Sequence, residues 1–128
     1  MTGGPQPYAV FEYAVLRAAP RVERGESVNV GLLLYCQDRD FLAAHVHVVP
    51  TRLRALDPAV DVEAVREAAE GLRLTCLGQG PAGRTSLGQR FRWLTAPRST
   101  VVHAGPVHSG LTTDPEAELA RLLTALVR

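Results

Sequence analysis

The chain has 128 residues, of which 46% are hydrophobic and 21% are charged, with a formal net charge of +1. This composition is typical of a globular protein with one core and excludes an intrinsically disordered chain. No apolar run reaches the roughly 20 residues that span a bilayer, and the start, MTGGPQPY, lacks the basic and apolar regions of a signal peptide. We therefore expect a cytoplasmic protein with a flexible tail over residues 1–7 and a single domain over residues 8–128.

Three strands are predicted in the first part of the chain. The stretch YAVFEYAVLRAAP alternates between two faces and is rich in aromatic and branched residues, which favours a strand that ends at Pro20. SVNVGLLLYC predicts a second strand, and its run Leu32-Leu33-Leu34 indicates burial on both faces. FLAAHVHVV predicts a third strand after a tight turn at QDRD. Short connections make these strands an antiparallel meander.

Helices are predicted in the second part of the chain. TRLRALDP favours one or two helical turns, and residues 61–77 carry an apolar stripe at spacings of three and four. SLGQRFRWL fits a short helix or an irregular segment, STVVHAG a brief edge strand, and GPVHSG a turn or bulge. In the last helix Thr113 and Glu116 fit a capping box, with Pro115 in the first turn. Together these elements predict a two-layer α+β fold, in which an antiparallel sheet of three to five strands packs against two main helices.

The charges are distributed unevenly along the sequence. All 14 basic residues are arginines, whose planar guanidinium groups suit carboxylates and phosphates. The segment 71–113 contains no acid, which leaves it with a net charge of +5 from five arginines. These are Arg73, Arg84, Arg90, Arg92 and Arg98.

The first candidate site is the charged connection PRVERGE between the first two predicted strands. Arg21 and Arg24 can hold an anion, with the backbone N–H groups around Gly25 as further donors. Glu23 or Glu26 can act as a base. The alternative is a solvated turn in which Arg and Glu pair locally and contribute little to stability.

The second candidate site is the acid-free stretch QRFRWLTAPRSTVVHAG, in which arginines are interleaved with aromatic residues. Such a segment can bind nucleic acid through phosphates and stacked bases. It can equally bind an acidic partner protein, because Arg and Trp are typical hot-spot residues. The alternative places Phe91 and Trp93 in the core beneath the aliphatic parts of the arginines.

Metal-binding and catalytic patterns are weak. His45 and His47 share one face of a strand and could ligate a metal with His103 or His108, but no carboxylate is predictably placed with them. We expect no metal and no cofactor. The motifs GxSxG, Walker A and HExxH are absent. Ser99, His103 and His108 can be assembled into a nucleophile–base arrangement, but their spacing does not require it, and we favour a non-catalytic protein.

Two long strings, EYAVLRAAPRVERGESVNVGLLLYC and LGQRFRWLTAPRSTVVHAGPVHSGLTTDP, resemble the bacterial family catalogued as domain of unknown function 3037. The likeness extends from about Tyr8 to the last helix. The resemblance implies a small cytoplasmic protein that is often encoded beside a HipA-like kinase, and it carries no agreed catalytic or binding residues. Its motif positions fall here on Arg17, Arg21, Glu23, Gly25, Glu26, Asn29, Gly31, Arg90, Arg92, Trp93, Arg98, Ser99 and Thr100.

Both candidate sites lie in these strings, so we expect the PRVERGE loop and residues 90–100 to meet in space and form one surface. The sequence therefore predicts a non-catalytic interaction module that binds a protein partner, by resemblance the neighbouring HipA-like kinase. The first alternative is a nucleic-acid or phosphate-ligand binding domain that uses the same arginines. The second is a small hydrolase or transferase in which Glu23 or Glu26 acts with Ser99 and His103. The predicted binding residues are Arg17, Arg21, Glu23, Arg24, Glu26, Asn29, Arg90, Arg92, Trp93, Arg98, Ser99 and Thr100.

Overall fold

The fold is built around a sheet of five antiparallel strands. The computed structural model describes residues 7–128, so the predicted tail lies outside the described residues except for Pro7. The strands lie in the order β3-β2-β1, and both β4 and β5 pair with the other edge of β1. The predicted α+β class with an N-terminal antiparallel meander is confirmed. The strands are β1 (Ala9–Ala18), β2 (Val28–Cys36), β3 (Phe41–Val46), β4 (Val102–Ala104) and β5 (His108–Thr112).

Strands β4 and β5 follow one edge of β1 as a single interrupted strand. β4 pairs Val102 with Ala18, and β5 pairs His108 with Tyr13. Residues 105–107 between them are not strand: Gly105 still donates its N–H to the carbonyl of Val15 at 2.8 Å, but Pro106 has no N–H to donate. The sequence predicts a turn or bulge at GPVHSG; the interruption is present, but the chain forms a strand from His108 onward.

Helices cover the strands of this sheet. For the stretch SLGQRFRWL, which fits a helix or an irregular segment, the structure has a helix that begins with a capping box between Ser86 and Gln89. No helix within residues 7–128 is long and apolar enough to cross a membrane. The α-helices of this part of the chain are α1 (Pro50–Leu56), α2 (Val62–Cys76), α3 (Leu87–Thr95) and α4 (Pro115–Leu126).

The helices lie against both faces of the sheet. One buried cluster packs the sheet against α1, α2 and α3, and a second cluster packs it against α4. In β2, Leu33 belongs to the first cluster, whereas Leu32 and Leu34 belong to the second, because successive strand residues point to opposite faces. The burial on both faces that the leucine run predicts is therefore observed. Burial on both faces requires a helix layer on each side of the sheet. The structure therefore has one helix layer more than the single sheet layer and single helix layer that the apolar stripes indicate.

The last helix begins with a different cap from the one that the sequence predicts. The capping box of Thr113 and Glu116 is wrong: Asp114 is the N-cap, and its carboxylate accepts hydrogen bonds from the N–H groups of Glu116 and Ala117 at 3.1 and 3.2 Å. Pro115 lies in the first turn, as predicted. Asp prevails over Thr because it is the better cap, and its negative charge lies at the positive end of the helix dipole.

Candidate functional site

Two adjoining cavities form a groove at the C-terminal end of β1. Their volumes are about 480 and about 240 Å³, and Arg17, Arg98 and His103 line both. None of the residues that line these two cavities is acidic. We call the two cavities together the basic groove. Its other lining residues are Ala19, Val22, Gly25, Ser27, Thr95, Pro97, Ser99, Thr100, Ala104, Gly105, Pro106 and Val107.

A row of polar residues crosses three strands at the groove. Arg17 on β1 pairs with Asn29 on β2 and with His103 on β4, and directly opposed residues on neighbouring strands share a face. Because Leu16 points into the cluster of α1–α3, Arg17 points to the opposite face, the one that α4 covers. Asn29 donates from Nδ2 to the carbonyl of Leu126 at the end of α4, at 2.9 Å. Asn29 therefore fixes one end of the row by binding the helix rather than a ligand.

Gly105 leaves room for the guanidinium of Arg17. A Cβ atom at position 105 would lie 2.9 Å from Cζ of Arg17 and 3.1 Å from its Nε, closer than the 3.5–4.0 Å or so at which carbon atoms pack. Arg17 is half-buried, and within residues 7–128 it has neither a hydrogen bond nor an ion pair. Its five donors are therefore available to a ligand in the groove.

Arg98 reaches the groove from the segment that follows α3. Its guanidinium lies over the indole of Trp93, 4.4 Å from the ring centroid, and its Nη2 donates to the carbonyl of Trp93 at 2.6 Å. No carboxylate in the described part of the chain pairs with Arg98. Arg17 and Arg98 thus bring two positive charges to one groove without a neutralising acid.

His103 presents one ring nitrogen to the groove in a defined state. Its Nδ1 lies 2.9 Å from the carbonyl of Thr100. Because a carbonyl only accepts, Nδ1 carries a proton, and Nε2 remains for a ligand, as an acceptor in the neutral ring and as a donor in the charged ring. The hydroxyl of Thr100 donates to the carbonyl of Val102 at 2.8 Å, so it has no further proton to offer.

The charged loop and the segment after α3 meet at the groove. Val22, Gly25 and Ser27 line the same cavity as Ser99 and Thr100. The PRVERGE loop therefore lies beside the end of residues 90–100, at Arg98, Ser99 and Thr100, whereas Arg90 and Arg92 do not line this cavity. Gly25 closes the loop with a φ of 71°, in the left-handed region that glycine adopts without strain.

The charges of this loop pair with each other. Arg21 bonds Glu23 at 3.2 Å and Arg24 bonds Glu26 at 2.7 Å, and all four side chains are exposed. A backbone hydrogen bond and then Arg21 hold the pKa of Glu23 below its usual value, so this acid stays ionised beside its arginine. The alternative considered for the loop, local pairing in a solvated turn, describes these four residues.

Arg90 is engaged inside the protein. It is 9% exposed, and its guanidinium donates to the carbonyls of Cys76 at 3.1 Å, Ala82 at 3.2 Å and Thr85 at 3.1 Å. These bonds join the end of α2 to the loop before α3. Arg90 is therefore a structural residue, and its guanidinium does not line the basic groove.

The charge that is unbalanced along the sequence is partly balanced in space. Arg92 forms an ion pair with Glu12 of β1 at 2.6 Å, and Arg73 forms one with Glu70 at 2.5 Å. Of the five arginines in the acid-free segment, Arg98 alone lines the groove. The basic surface is thus smaller and more local than the sequence indicates.

The remaining sequence hypotheses find less support in the structure. Ser99 and His103 line the groove, but Glu23 and Glu26 do not, so the carboxylate of the hydrolase hypothesis is not at the site. Burial and then the charge of Arg128 lower the pKa of His45. Within residues 7–128 no group of three or more His, Cys, Asp or Glu side chains could hold a metal ion.

Of the residues that line the groove, Arg17, Arg98, Ser99 and Thr100 were among the predicted binding residues; the residues that sequence reasoning missed include His103 and Gly105. Their relation to Arg17 depends on the register of β4 on β1, which is a long-range property with no local sequence signal. Alternation within β1 does place Arg17 on the face opposite Leu16. It does not indicate which strand lies beside that position.

One family model matches most of the chain. The sequence model described as "Protein of unknown function (DUF3037)" matches residues 13–127. This range contains every residue of the basic groove. No curated protein and no solved structure matches the chain. The chain belongs to the DUF3037 family, whose members are proteins of unknown function.

Proposed function

We propose that this protein is a non-catalytic interaction module that binds an acidic segment of a protein partner in the basic groove. The observation that supports this most directly is that Arg17 and Arg98 line one groove with no acid among its lining residues. The family resemblance makes a HipA-like kinase encoded beside it the first partner to test.

Arg17 supplies the central contact. A half-buried guanidinium has lost part of its hydration, and no anion of the described chain compensates it. A ligand carboxylate or phosphate can pair with it through two parallel N–H···O bonds. Because β1 is paired along both edges at this point, the backbone of Arg17 is held in place before binding, which reduces the ordering cost of the complex.

Neutral donors extend the site around the two cations. The hydroxyls of Ser27 and Ser99 line the groove and are exposed, and each has one proton to donate. This set can satisfy several oxygen atoms of an acidic segment.

The distribution of charge favours a protein over a nucleic acid. A nucleic acid is bound through many phosphate contacts, which requires a row of available cations. Here Arg21, Arg24 and Arg92 are each paired with a glutamate, so few cations remain free beside the groove. A short acidic peptide needs only the two arginines of the groove.

The test is isothermal titration of the purified HipA-like kinase with the wild-type protein and three variants. Gly105→Ala pushes the guanidinium of Arg17 aside while leaving the arginine in place, and Arg98→Glu reverses the second charge. Each should weaken binding by about 30-fold, the lower end of the cost of breaking a desolvated charge pair. Arg54→Glu, on the exposed surface of α1 and outside the groove, is the matched control and should change the Kd by less than about twofold.

Three results would count against this assignment. Binding that all three variants leave unchanged would place the interface elsewhere, and no binding by the wild-type protein would remove the kinase as the partner. Binding to a single-stranded oligonucleotide that falls steeply with salt, and that Arg98→Glu abolishes, would replace the protein partner with a nucleic acid. The free variants must show the wild-type circular dichroism spectrum, so that a folding defect is not scored as a binding defect.

A further inference from the structure

An apolar pocket lies beside α3, outside the basic groove. Its volume is about 320 Å³, near the lower end of the roughly 300–1,000 Å³ of small-molecule and side-chain pockets. Pro81, Ala82 and Trp93 line it, together with Thr75, Gln79, Thr85 and the buried Arg90. Trp93 is 56% exposed although it is a large aromatic residue, so its ring is available at the rim of the pocket.

The walls of this pocket are held in place before any ligand binds. The loop that carries Pro81 and Ala82 is bonded to Arg90 through the carbonyls of Ala82 and Thr85. The same guanidinium is bonded to the carbonyl of Cys76 at the end of α2. Because these bonds occupy the polar face of Arg90, the pocket offers a ligand mainly hydrocarbon and an indole ring. A rigid apolar pocket of this kind favours an apolar side chain.

The pocket and the basic groove meet at one stacked pair. Trp93 lines the pocket, Arg98 lines both cavities of the groove, and the guanidinium of Arg98 lies 4.4 Å from the centroid of the Trp93 ring. Trp and Arg are among the residues most enriched in binding hot spots. A ligand that contacts both sides of this pair needs an apolar group next to an acidic one.

We infer that the pocket receives an apolar side chain of the partner, placed close in sequence to the acidic residue that binds Arg17 and Arg98. This inference rests on the proposed function, since it takes the acidic segment as given and adds the anchor that fixes its register. The charge of the groove selects the kind of partner, and the pocket selects a Leu, Met or Phe at one position. Specificity then comes from two adjacent sites with opposite chemistry.

A random dodecapeptide phage library panned on the immobilised wild-type protein tests the inference. The enriched peptides should carry Asp or Glu within a few residues of a Leu, Met or Phe. Replacing that apolar residue by Ser in the best synthetic peptide should raise its Kd by about 30-fold, which corresponds to full burial of one such side chain. In the pocket variants Ala82→Leu and Thr75→Leu the same replacement should change the Kd by less than about threefold, because the pocket is already filled.

Each outcome tests the apolar anchor, the proposed function of the basic groove, or both. Enriched peptides that are acidic but have no preferred apolar position would overturn the anchor and leave the basic groove intact. Peptides that are apolar but not acidic would overturn the proposed function. Absence of any enriched sequence would overturn both. Two independent pocket variants are used so that one that fails to fold, as judged by its urea midpoint, does not decide the result.

Discussion

Replacing Arg90 by alanine should destabilise the protein by about 3 kcal/mol without involving any ligand. The side chain is buried and bonds three backbone carbonyls, of which that of Cys76 is itself buried. Loss of the buried bond costs about 2 kcal/mol, and loss of the two bonds to the loop costs about 0.5 kcal/mol each, because water can replace the guanidinium there. With about 2.1 cal/mol/K of unfolding entropy per residue, the 128 residues have about 270 cal/mol/K, so the melting temperature should fall by about 11 °C.

Thermal melts followed by circular dichroism, and urea titrations followed by the fluorescence of the one tryptophan, measure this effect. Arg84→Ala is the matched control, because Arg84 belongs to the same loop but is exposed and should stay within about 0.5 kcal/mol of the wild type. Arg90→Lys should lie between the two, since an ammonium group cannot serve three carbonyls in a plane. If Arg90→Ala melts within about 3 °C of the wild type, Arg90 is not the structural residue described above.

Further predictions concern the cap of α4, the buried thiol and the polar row. Asp114→Ala should lower the free energy of unfolding by about 1 kcal/mol, as measured by urea titration, and Thr113→Ala should leave it almost unchanged. A larger effect of Thr113→Ala would support the capping box of Thr113 and Glu116 instead. Burial raises the pKa of Cys76 to about 11, so the native thiol should resist a thiol-specific dye at pH 8. Because the unfolded thiol has a pKa of about 8.5, the free energy of unfolding should fall as the pH rises from there towards 11. Cys76→Ala should lack this decline, and the same decline in that variant would contradict the assignment to Cys76. Asn29→Ala should cost about 1 kcal/mol through the bond to Leu126, and an unchanged urea midpoint would contradict that role.

Much of the sheet can be predicted from local patterns. Alternation in β1 and the leucine run of β2 identify two strands, and short connections make them antiparallel neighbours of β3. The strand β5 is harder, because HSGLT is short, contains glycine and lies next to the interruption at residues 105–107. Its strand geometry comes from pairing with the exposed edge of β1, which is a tertiary effect.

In the candidate site, too, the roles of some residues can be predicted from local sequence and the roles of others cannot. Helical periodicity alone places Arg90 on the buried side of α3, three residues after Leu87 and four before Leu94, so its structural role has a local signal. Arg92 lies on the other side of the helix, where Glu12 of β1 neutralises it across 80 positions of sequence. Charge counted along a sequence cannot show such a pair. The sequence therefore indicates the correct segments but overstates the number of free cations.

The free protein should be less stable with Arg17 than with an uncharged residue of similar shape. A half-buried guanidinium without an anion is unfavourable, so a position kept for ligand binding should oppose stability in the free state. Arg17→Met keeps the long hydrocarbon chain beside Gly105 and removes the charge. It should stabilise the free protein by about 1 kcal/mol, seen as a higher urea midpoint, while it weakens binding of the partner. Arg54→Met, at an exposed position on α1, should change stability by less than about 0.5 kcal/mol. A lower midpoint for Arg17→Met would mean that Arg17 stabilises the fold itself, and the main reason for assigning a ligand to the basic groove would be lost.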